Sequence, residues 1–527
     1  MSSDKKIYTV SLMGVGFRGG KTYAKYFAEN DGNFRVECVC DISEERVNEY
    51  GNLLNVKKSC RFLSDDEFFK EKRSDILIVS TPEKTHIRIA KKAIELGYNI
   101  LLEIPVSDDP DELRELVASL SLYGKVVRVA YVLRYDAMIC KLKEIIDDGE
   151  IGKLVSMDYT ENVVFWHEAH SFVRGNWSNT EKAMPMILLK CCHDFDIISY
   201  LLGVKCGSVS SLGSLFWFKS ENKPNGAAER CTDCKYIESC VYSAKRIYID
   251  MWKNLGSPAS IAPMNVITDE YPLTEEALYK AIKTGDYGRC VFCCDNDAVD
   301  NQTVIMQFEN GVTATLKMEA FVKDGGRDIR IFGTEGEIEL SERKDTLVVK
   351  KYFGEDVVYK LSEMGHKSSY LEADDKMIED FLSEVVNNEQ KERAVPANNG
   401  EFIESHFIAL GAEESRRSDG AAVDLFKFRT GNSLVKNILG YIELHYKEKI
   451  TLAGLAREMG YTTGYCSKVL KQATGENFND FLNRKRIQKV QEILSDKTVK
   501  KTLQEILFDC GFDYTSTYYR NKSKLKL

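Results

Sequence analysis

The chain has 527 residues, 43% of them hydrophobic and 29% charged, with a formal net charge of −9. At about 150 residues per domain, that length implies three or four domains and ample material for a buried core. No apolar run approaches the roughly 18 residues of a membrane span and residues 1–6 lack a signal peptide's apolar stretch, so a cytoplasmic chain with no membrane partner is expected, its 15 cysteines reduced or metal-bound rather than in disulfides.

Ile7 to Met13 reads as a buried strand that runs into Gly14-x-Gly16-x-x-Gly19, and a helical pattern with Tyr23, Tyr26 and Phe27 follows. Strand, glycine turn and helix in that order suit a dinucleotide pyrophosphate. One glycine makes the turn, one admits the phosphates to backbone N–H groups, and one lets helix pack on strand. Phe17 and Arg18 lie inside this turn. The next apolar run, Phe34 to Cys40, ends in Asp41, placed to accept the ribose hydroxyls. A carboxylate there repels a 2′-phosphate, so NAD is expected over NADP. Helices over Ser43–Leu54, Glu83–Leu96 and Pro110–Leu122 alternate with strands over Asp75–Ser80, Tyr98–Leu102 and Val126–Tyr131. The alternation predicts a parallel sheet with ligands at the strand C-termini, where Gly14, Asp41, Thr81 and Glu103 lie.

Beyond about Arg134 the pattern changes. Strand-like runs at Leu154–Thr160, Ser208–Phe218, Thr303–Phe308, Thr313–Ala320, Ile329–Phe332 and Thr346–Tyr352 predict a second, largely antiparallel sheet. Helices are expected at Met186–Leu202, Asp374–Val386 and Glu401–Arg416. The ordered motifs Gly-x-Gly-x-x-Gly, Ser80-Thr81-Pro82-x-x-x-His86, Glu103-x-Pro105, Ile151-Gly152-Lys153, Cys192-His193-Asp194-x-Asp196 and Gly333-Thr334-Glu335-Gly336 resemble the Gfo/Idh/MocA oxidoreductases over roughly residues 5–425. The resemblance implies a Rossmann domain (1–134) and an α+β domain (135–425) whose open-faced sheet mediates homo-oligomerisation. It also implies hydride transfer between NAD(P) and a sugar or cyclitol, or an NAD-dependent glycosidase reaction. It adds Pro82 and His86 to the cofactor residues.

The family's usual site has a lysine in Glu-Lys-Pro and an Asp-x-x-x-His pair. Here Ile104 replaces that lysine and Leu189 that aspartate. Isoleucine cannot hydrogen-bond a reacting hydroxyl. Lys190 and His193, three apart in a helix, share a face and are the substitute catalytic pair; a surface lysine and a satisfied histidine are the alternative. Trp166, His167, His170 and Arg174 form a stretch of aromatic faces and fixed donors suited to a sugar, and Arg134 and Tyr135 at the domain junction are further substrate candidates. His167 and His170 also have a spacing that could pair on a metal.

Cys231-x-x-Cys234-x5-Cys240 fits three corners of a tetrahedral structural zinc site, with Cys290, Cys293 or Cys294 as the fourth and Cys294 chosen here. A loop of reduced thiols is the alternative, and an iron–sulfur centre is less favoured than zinc.

Residues 431–527 carry 17 Lys/Arg against 10 Asp/Glu, a net +7, which leaves −16 on the remainder. A basic module on an acidic body points to nucleic acid as that module's partner. Asp419 to Asn432 reads as a linker. Helices follow at Leu434–Tyr446, Leu452–Met459, Thr463–Gln472, Phe478–Leu494, Leu503–Cys510 and Tyr514–Arg520, with Gly460 between the second and third. Ile450-Thr-Leu-x-x-Leu455-Ala456, Tyr465-Cys-Ser-Lys468, Thr474-Gly475, Phe478-x-x-Phe481-Leu482-Asn483-x-x-Arg486-Ile487 and Gly511-Phe512 resemble the AraC/XylS regulators. That resemblance implies an all-α domain (430–527) that binds double-stranded DNA through two helix-turn-helix units. Lys522 stands where a core phenylalanine is expected and the closing Gly-x-Thr-Pro segment has no counterpart, which implies a weak second unit. Thr463, Gly464, Ser467, Lys468, Lys471 and Arg486 are the expected DNA-contacting residues. Three readings stay open: an oxidoreductase-like regulator, an active enzyme with a vestigial tail, and a regulator whose inert body only senses ligand.

Overall fold

The computed structural model describes residues 6–30, 32–120, 123–365, 371–390, 401–459, 461–495 and 501–525. They fall into two compact units, one holding most of residues 1–425, the other holding 110–126 with the C-terminal helices from 426 onward.

Six parallel strands open the chain: β1 (Tyr8–Met13), β2 (Phe34–Cys40), β3 (Arg61–Phe62), β4 (Ile76–Val79), β5 (Asn99–Leu102) and β6 (Val127–Val129). Their order is β3-β2-β1-β4-β5-β6. The order reverses beside β1, so β1 has β2 on one side and β4 on the other, and the crevice at its C-terminal end is the dinucleotide position of such sheets. Continuous burial of β4 and β5 matches the unbroken apolar runs of a parallel strand. β3 was not expected, because two residues of intermediate burial carry no periodicity.

The second sheet has nine strands: β7 (Leu154–Val164), β8 (Cys206–Ser214), β9 (Asn301–Phe308), β10 (Thr313–Val322), β11 (Gly326–Gly333), β12 (Gly336–Ser341), β13 (Thr346–Lys351), β14 (Val357–Lys360) and β15 (Val423–Asp424). The order is β14-β13-β12-β11-β7-β10-β9-β8-β15. The sheet is mixed, since β7 and β10 pair in parallel at its centre while the other neighbours are antiparallel. One face is buried: Met157 and Tyr159 of β7, Leu316 and Met318 of β10, and Ile329 and Ile331 of β11. The buried helices Met186–Leu202 and Glu404–Arg417 belong to this side. The opposite face carries exposed Ile305, Lys317 and Arg330, so the sheet is open-faced. β8 stops at Ser214 because the Asp300 carboxylate takes the backbone N–H groups of Phe216 and Trp217 at 2.9 and 2.7 Å. There the chain leaves the sheet for a long insertion that returns at β9. The expected linker also differs. Within it Val423–Asp424 pairs with Val209 and Ser208, and a helix begins at Leu425.

The C-terminal helices are Leu425–His445, Leu452–Met459, Thr463–Thr474, Phe478–Ser495, Leu503–Asp509 and Thr515–Lys524. The first breaks at Gly431, whose φ of 59° and ψ of 165° are not helical. Gly460 lies outside the described residues. The Thr462 side chain caps the third helix by accepting from Tyr465 N–H, and Thr502 with Glu505 forms a capping box on the fifth. There are two apolar cores. Leu434, Ile438, Ile442, Leu455, Val469, Phe478 and Leu482 make one. Ile487, Val490, Ile506, Leu507, Phe512 and Tyr518 make the other. The fourth helix supplies both.

Arg486 does not face DNA as expected. Its Nε donates to Tyr446 O at 2.6 Å and its Nη2 to Glu448 O at 2.7 Å. It ties the fourth helix to the end of the first by capping carbonyls that lack helical partners. Arg486→Met should therefore destabilise the helical module by about 2 kcal/mol, the scale of a lost charged hydrogen bond, with NAD binding unchanged. Denaturant unfolding of the variant beside the unsubstituted chain checks this.

Candidate functional site

The glycine turn is shaped by close approaches. Gly14 has φ of +83°, and a Cβ on it would lie 2.6 Å from the backbone of Ser80. A Cβ on Gly19 would lie 1.9 Å from Gly14 O, so the following helix can pack here only through glycine. A Cβ on Gly16 would meet nothing within 4 Å. The turn is therefore open to the outside at Gly16, which fits a pyrophosphate against it. Gly14, Gly16, Asp41, Thr81 and Pro82 line one groove with Arg46 and Thr85. Asp41, buried at the end of β2, accepts from Val15 N–H at 2.9 Å, Ser43 N–H at 2.9 Å and Arg46 Nη2 at 2.7 Å. These residues fit an NAD adenosine: a turn bare of side chains, then a fixed carboxylate. Phe17 is 76% exposed beside the turn.

His86 contributes differently from its expected cofactor role. It is buried, with Nδ1 2.7 Å from Pro105 O and Nε2 2.7 Å from Thr81 O. It therefore sets the Thr81-Pro82 loop against the segment after β5. Arg18 reaches across the site: Nε donates to Glu103 at 2.6 Å, and Nη1 and Nη2 donate to Asp374 at 2.7 and 2.6 Å. Tyr23 O–H also donates to Glu103 at 2.6 Å. Burial of Asp374 raises its carboxyl above the usual range against the pull of Arg18.

Beyond this clamp stands the helix Met186–Leu202. Lys190 Nζ lies 2.9 Å from Glu161 Oε1 on β7. Arg327 on β11 lies 2.8 Å from Asp194 and 3.4 Å from Glu161, and Tyr159 O–H donates to Asp194 at 2.9 Å. His193 keeps its Nδ1 buried without a hydrogen-bond partner. Burial, then the charges of Arg327, Arg18 and Lys190, hold its imidazole down to about 3, so it is neutral at physiological pH. His167 is held to about 3 by burial and by Lys190. Glu168 is fully buried with both carboxyl oxygens unpartnered, and burial pushes it well above the usual range. The helix face thus presents a cation anchored on a carboxylate beside a neutral imidazole, the parts for holding and orienting a hydroxyl.

Other expected substrate residues lie elsewhere. Arg134 donates to both oxygens of Asp196 at 2.7 and 2.6 Å and pins the helix from below. Tyr135 O–H donates to Asp380 at 2.6 Å and accepts from Arg128. Trp166 is partly buried against the insertion's core. His170 is buried on Tyr248 O–H at 2.9 Å and stacked on Tyr287. Arg174, 2% exposed, donates to Arg289 O and Tyr242 O at 2.7 Å each. Both His170 and Arg174 bind the protein's own insertion instead of a sugar. The zinc expectation is corrected as well. Among the described residues no three His, Cys, Asp or Glu side chains converge to hold one metal ion, and the Cys294 thiol instead contacts Cys290 O at 3.4 Å. The His167–His170 metal pairing falls with it.

Sequence reasoning missed Glu161, Arg327, Asp374 and Glu168. A signal existed for two of them. Glu161 and Arg327 sit in phase with the buried residues of β7 and β11, and a charge on the buried parity of a strand needs a partner.

In the helical module Thr463, Gly464, Lys468 and Lys471 are exposed on the third helix and Ser467 is half-buried. Lys468 Nζ sits 5.6 Å from the centre of the Phe426 ring.

Residues 8–131 match the oxidoreductase family's NAD-binding Rossmann fold, residues 143–401 its C-terminal alpha/beta domain, and residues 455–525 a helix-turn-helix domain. The chain is 27% identical over 278 residues to YteT of Bacillus subtilis, covering 53% of this chain and 62% of that one. It is 27% identical over 211 residues to scyllo-inositol 2-dehydrogenase (NAD(+)) of Bacillus subtilis, covering 39% and 57%. It spans about three-fifths of the length of the first curated relatives it matches. Among solved structures, levoglucosan dehydrogenase in complex with NADH and levoglucosan aligns at TM-score 0.56 and 17% identity, over 80% of this chain and all of that one. Myo-inositol 2-dehydrogenase from Lactobacillus plantarum aligns at 0.52 and 16%, over 80% and 99%. At these identities the structures speak for the fold.

The depressed histidines fix a pH dependence. His167 and His193 near 3 and His170 near 4 stay neutral when folded but take up protons near 6.5 when unfolded. The unfolded state therefore binds more protons below about 6.5. Stability is complete above that pH and falls as pH drops toward 4, by at most about 1.4 kcal/mol per pH unit for each imidazole. Thermal unfolding at pH 7.5, 6 and 5 should show a falling midpoint, and His170→Gln should flatten the slope.

Proposed function

We propose that this chain, whose residues 8–131 and 143–401 belong to the Gfo/Idh/MocA oxidoreductase family and whose residues 455–525 belong to the helix-turn-helix domains, is an NAD-dependent sugar or cyclitol oxidoreductase body joined to a sequence-specific DNA-binding domain. It acts in the cytoplasm as a metabolite-responsive regulator. Its domains run 1–134, 135–425 and 430–527, and it pairs with a second copy through the open sheet face. The observation that carries the reading is the convergence of Lys190, His193, Glu161 and the Arg18 clamp beyond the glycine turn.

Bound NAD supplies the hydride acceptor. The turn from Gly14 to Gly19 admits its pyrophosphate, and Asp41 takes the ribose hydroxyls. Lys190, anchored by Glu161, holds the substrate hydroxyl and stabilises the oxygen as it loses its proton. His193, a neutral imidazole beside Lys190, orients the hydroxyl, and the proton leaves through the Lys190–Glu161 pair. Arg327 and Arg18 place positive charge around this point, which favours the developing alkoxide. Ile104 is bypassed because Lys190 approaches from the helix.

Three outcomes test this. Fluorescence titration should give tighter binding of NADH than of NADPH. Asp41→Ala should erode the preference, because it removes the repelling carboxylate and leaves Arg46 to meet a 2′-phosphate. Equal affinities in the unsubstituted chain overturn the assignment. On a panel of cyclitols and sugars, Lys190→Ala should lower turnover by about 10²-fold. A released aglycone without net NADH would mark glycosidase chemistry in place of dehydrogenation. The full chain should bind duplex DNA with strong salt dependence. Lys471→Ala should reduce the log–log salt slope by about one, whereas Ser467→Ala should alter sequence preference instead. Absence of any complex with genomic fragments at low salt, with and without NAD, removes the regulator reading.

A further inference from the structure

The insertion between β8 and β9 holds a feature that neither hydride transfer nor DNA binding uses. Cys231, Cys234, Cys240 and Cys290 line one small cavity. Its walls between the thiols are apolar, among them Ile237 and Phe292. All four cysteines are unbridged. A single tetrahedral ion with metal–sulfur bonds of about 2.3 Å would draw its thiols to within about 4 Å of one another. Among the described residues none converge that way. The thiols instead surround a space, as ligands of a polynuclear centre must.

Donors are aimed at one of the sulfurs. Cys231 Sγ accepts from Ala244 N–H at 3.4 Å and from Arg174 Nη2 at 3.6 Å. Neutral thiols are weak acceptors and gain little from such bonds, whereas thiolates bound to iron are stabilised and tuned by them. The guanidinium of Arg174 is buried, lines the same cavity and leaves Nη1 without a partner. A buried cation short of one hydrogen bond, beside four thiols, is matched by an anionic centre in that cavity.

We propose that Cys231, Cys234, Cys240 and Cys290 ligate a four-iron, four-sulfide cluster that fastens the insertion to the helix carrying Arg174. Cys294 and Cys293 do not line the cavity and are not ligands. The cluster is structural here: it joins residues 231–240 to residue 290 and, through Arg174, to the segment Glu168–Arg174 that flanks Lys190.

The test uses the full chain, produced with iron and cysteine supplied and purified without oxygen. Iron and acid-labile sulfide should each reach about four per chain, with a broad visible absorption that dithionite bleaches. Cys234→Ser should lose most of the iron and sulfide, while Cys294→Ser keeps both. NADH titration of the two variants reports whether the body remains folded. Stoichiometric zinc, or a chain free of iron and sulfide after anaerobic purification and reconstitution, overturns the proposal. So does a folded Cys234→Ser chain with full cluster content. If Cys234→Ser does not fold, the metal and sulfide content of the unsubstituted chain decides.

Discussion

The structure of the candidate site depends on one buried cation. Arg327, 5% exposed, stands on β11 between Asp194 of the helix above the sheet and Glu161 of β7. Three charges removed from water are tolerable only when each is paired, and deleting one partner of such a group leaves the others uncompensated at a cost of about 3–5 kcal/mol. The pairing sets the rotation of the helix Met186–Leu202 on the sheet. That rotation turns Lys190 toward Glu161 and leaves His193 beside Arg18. The chemistry proposed for Lys190 and His193 is therefore a consequence of strand register in β7 and β11, where Asp328 faces Thr160 and Arg330 faces Asp158.

The same logic bears on Ile104, which stands where the family resemblance leads one to expect a lysine. A hydroxyl-holding cation is useful only where its position is fixed. Ile104 occupies the usual place, but Glu161, almost fully buried, supplies an anchor from the opposite side of the site. A cation on the helix, as proposed for Lys190, has its placement tied to the sheet through Glu161 rather than to the Rossmann domain.

Much of this was legible in the sequence, and the limits follow from range. The glycine turn and Asp41 could be read because each is a local pattern whose reason is steric or electrostatic. Lys190 and His193 could be read as a pair because helical period alone puts them on one face. Their partners could not, because Glu161 and Arg327 meet through a register between strands more than 160 residues apart in the chain. His170 and Arg174 were misread for a related reason. A stretch rich in aromatics and donors looks alike whether it awaits a sugar or its own insertion, and the groups that satisfy them, Tyr248 and Arg289 O, lie 78 and 115 residues downstream. Arg486 sat in a basic run and was assigned to DNA. The carbonyls it caps are 38 and 40 residues upstream.

The fourth helix of the C-terminal module, Phe478–Ser495, gives Phe478 and Leu482 to one core and Ile487 and Val490 to the other. The two halves are therefore not modules that selection can trim independently. Loss of the second would leave an apolar stripe on the helix that supports the first, about 2 kcal/mol of burial forgone for each large side chain. This accounts for a second half that keeps its caps and its packing, Thr502, Glu505, Phe512 and Tyr518, around a lysine at position 522. Its place in the fold is explained by the apolar surface it covers, a constraint that acts whether or not that half touches DNA.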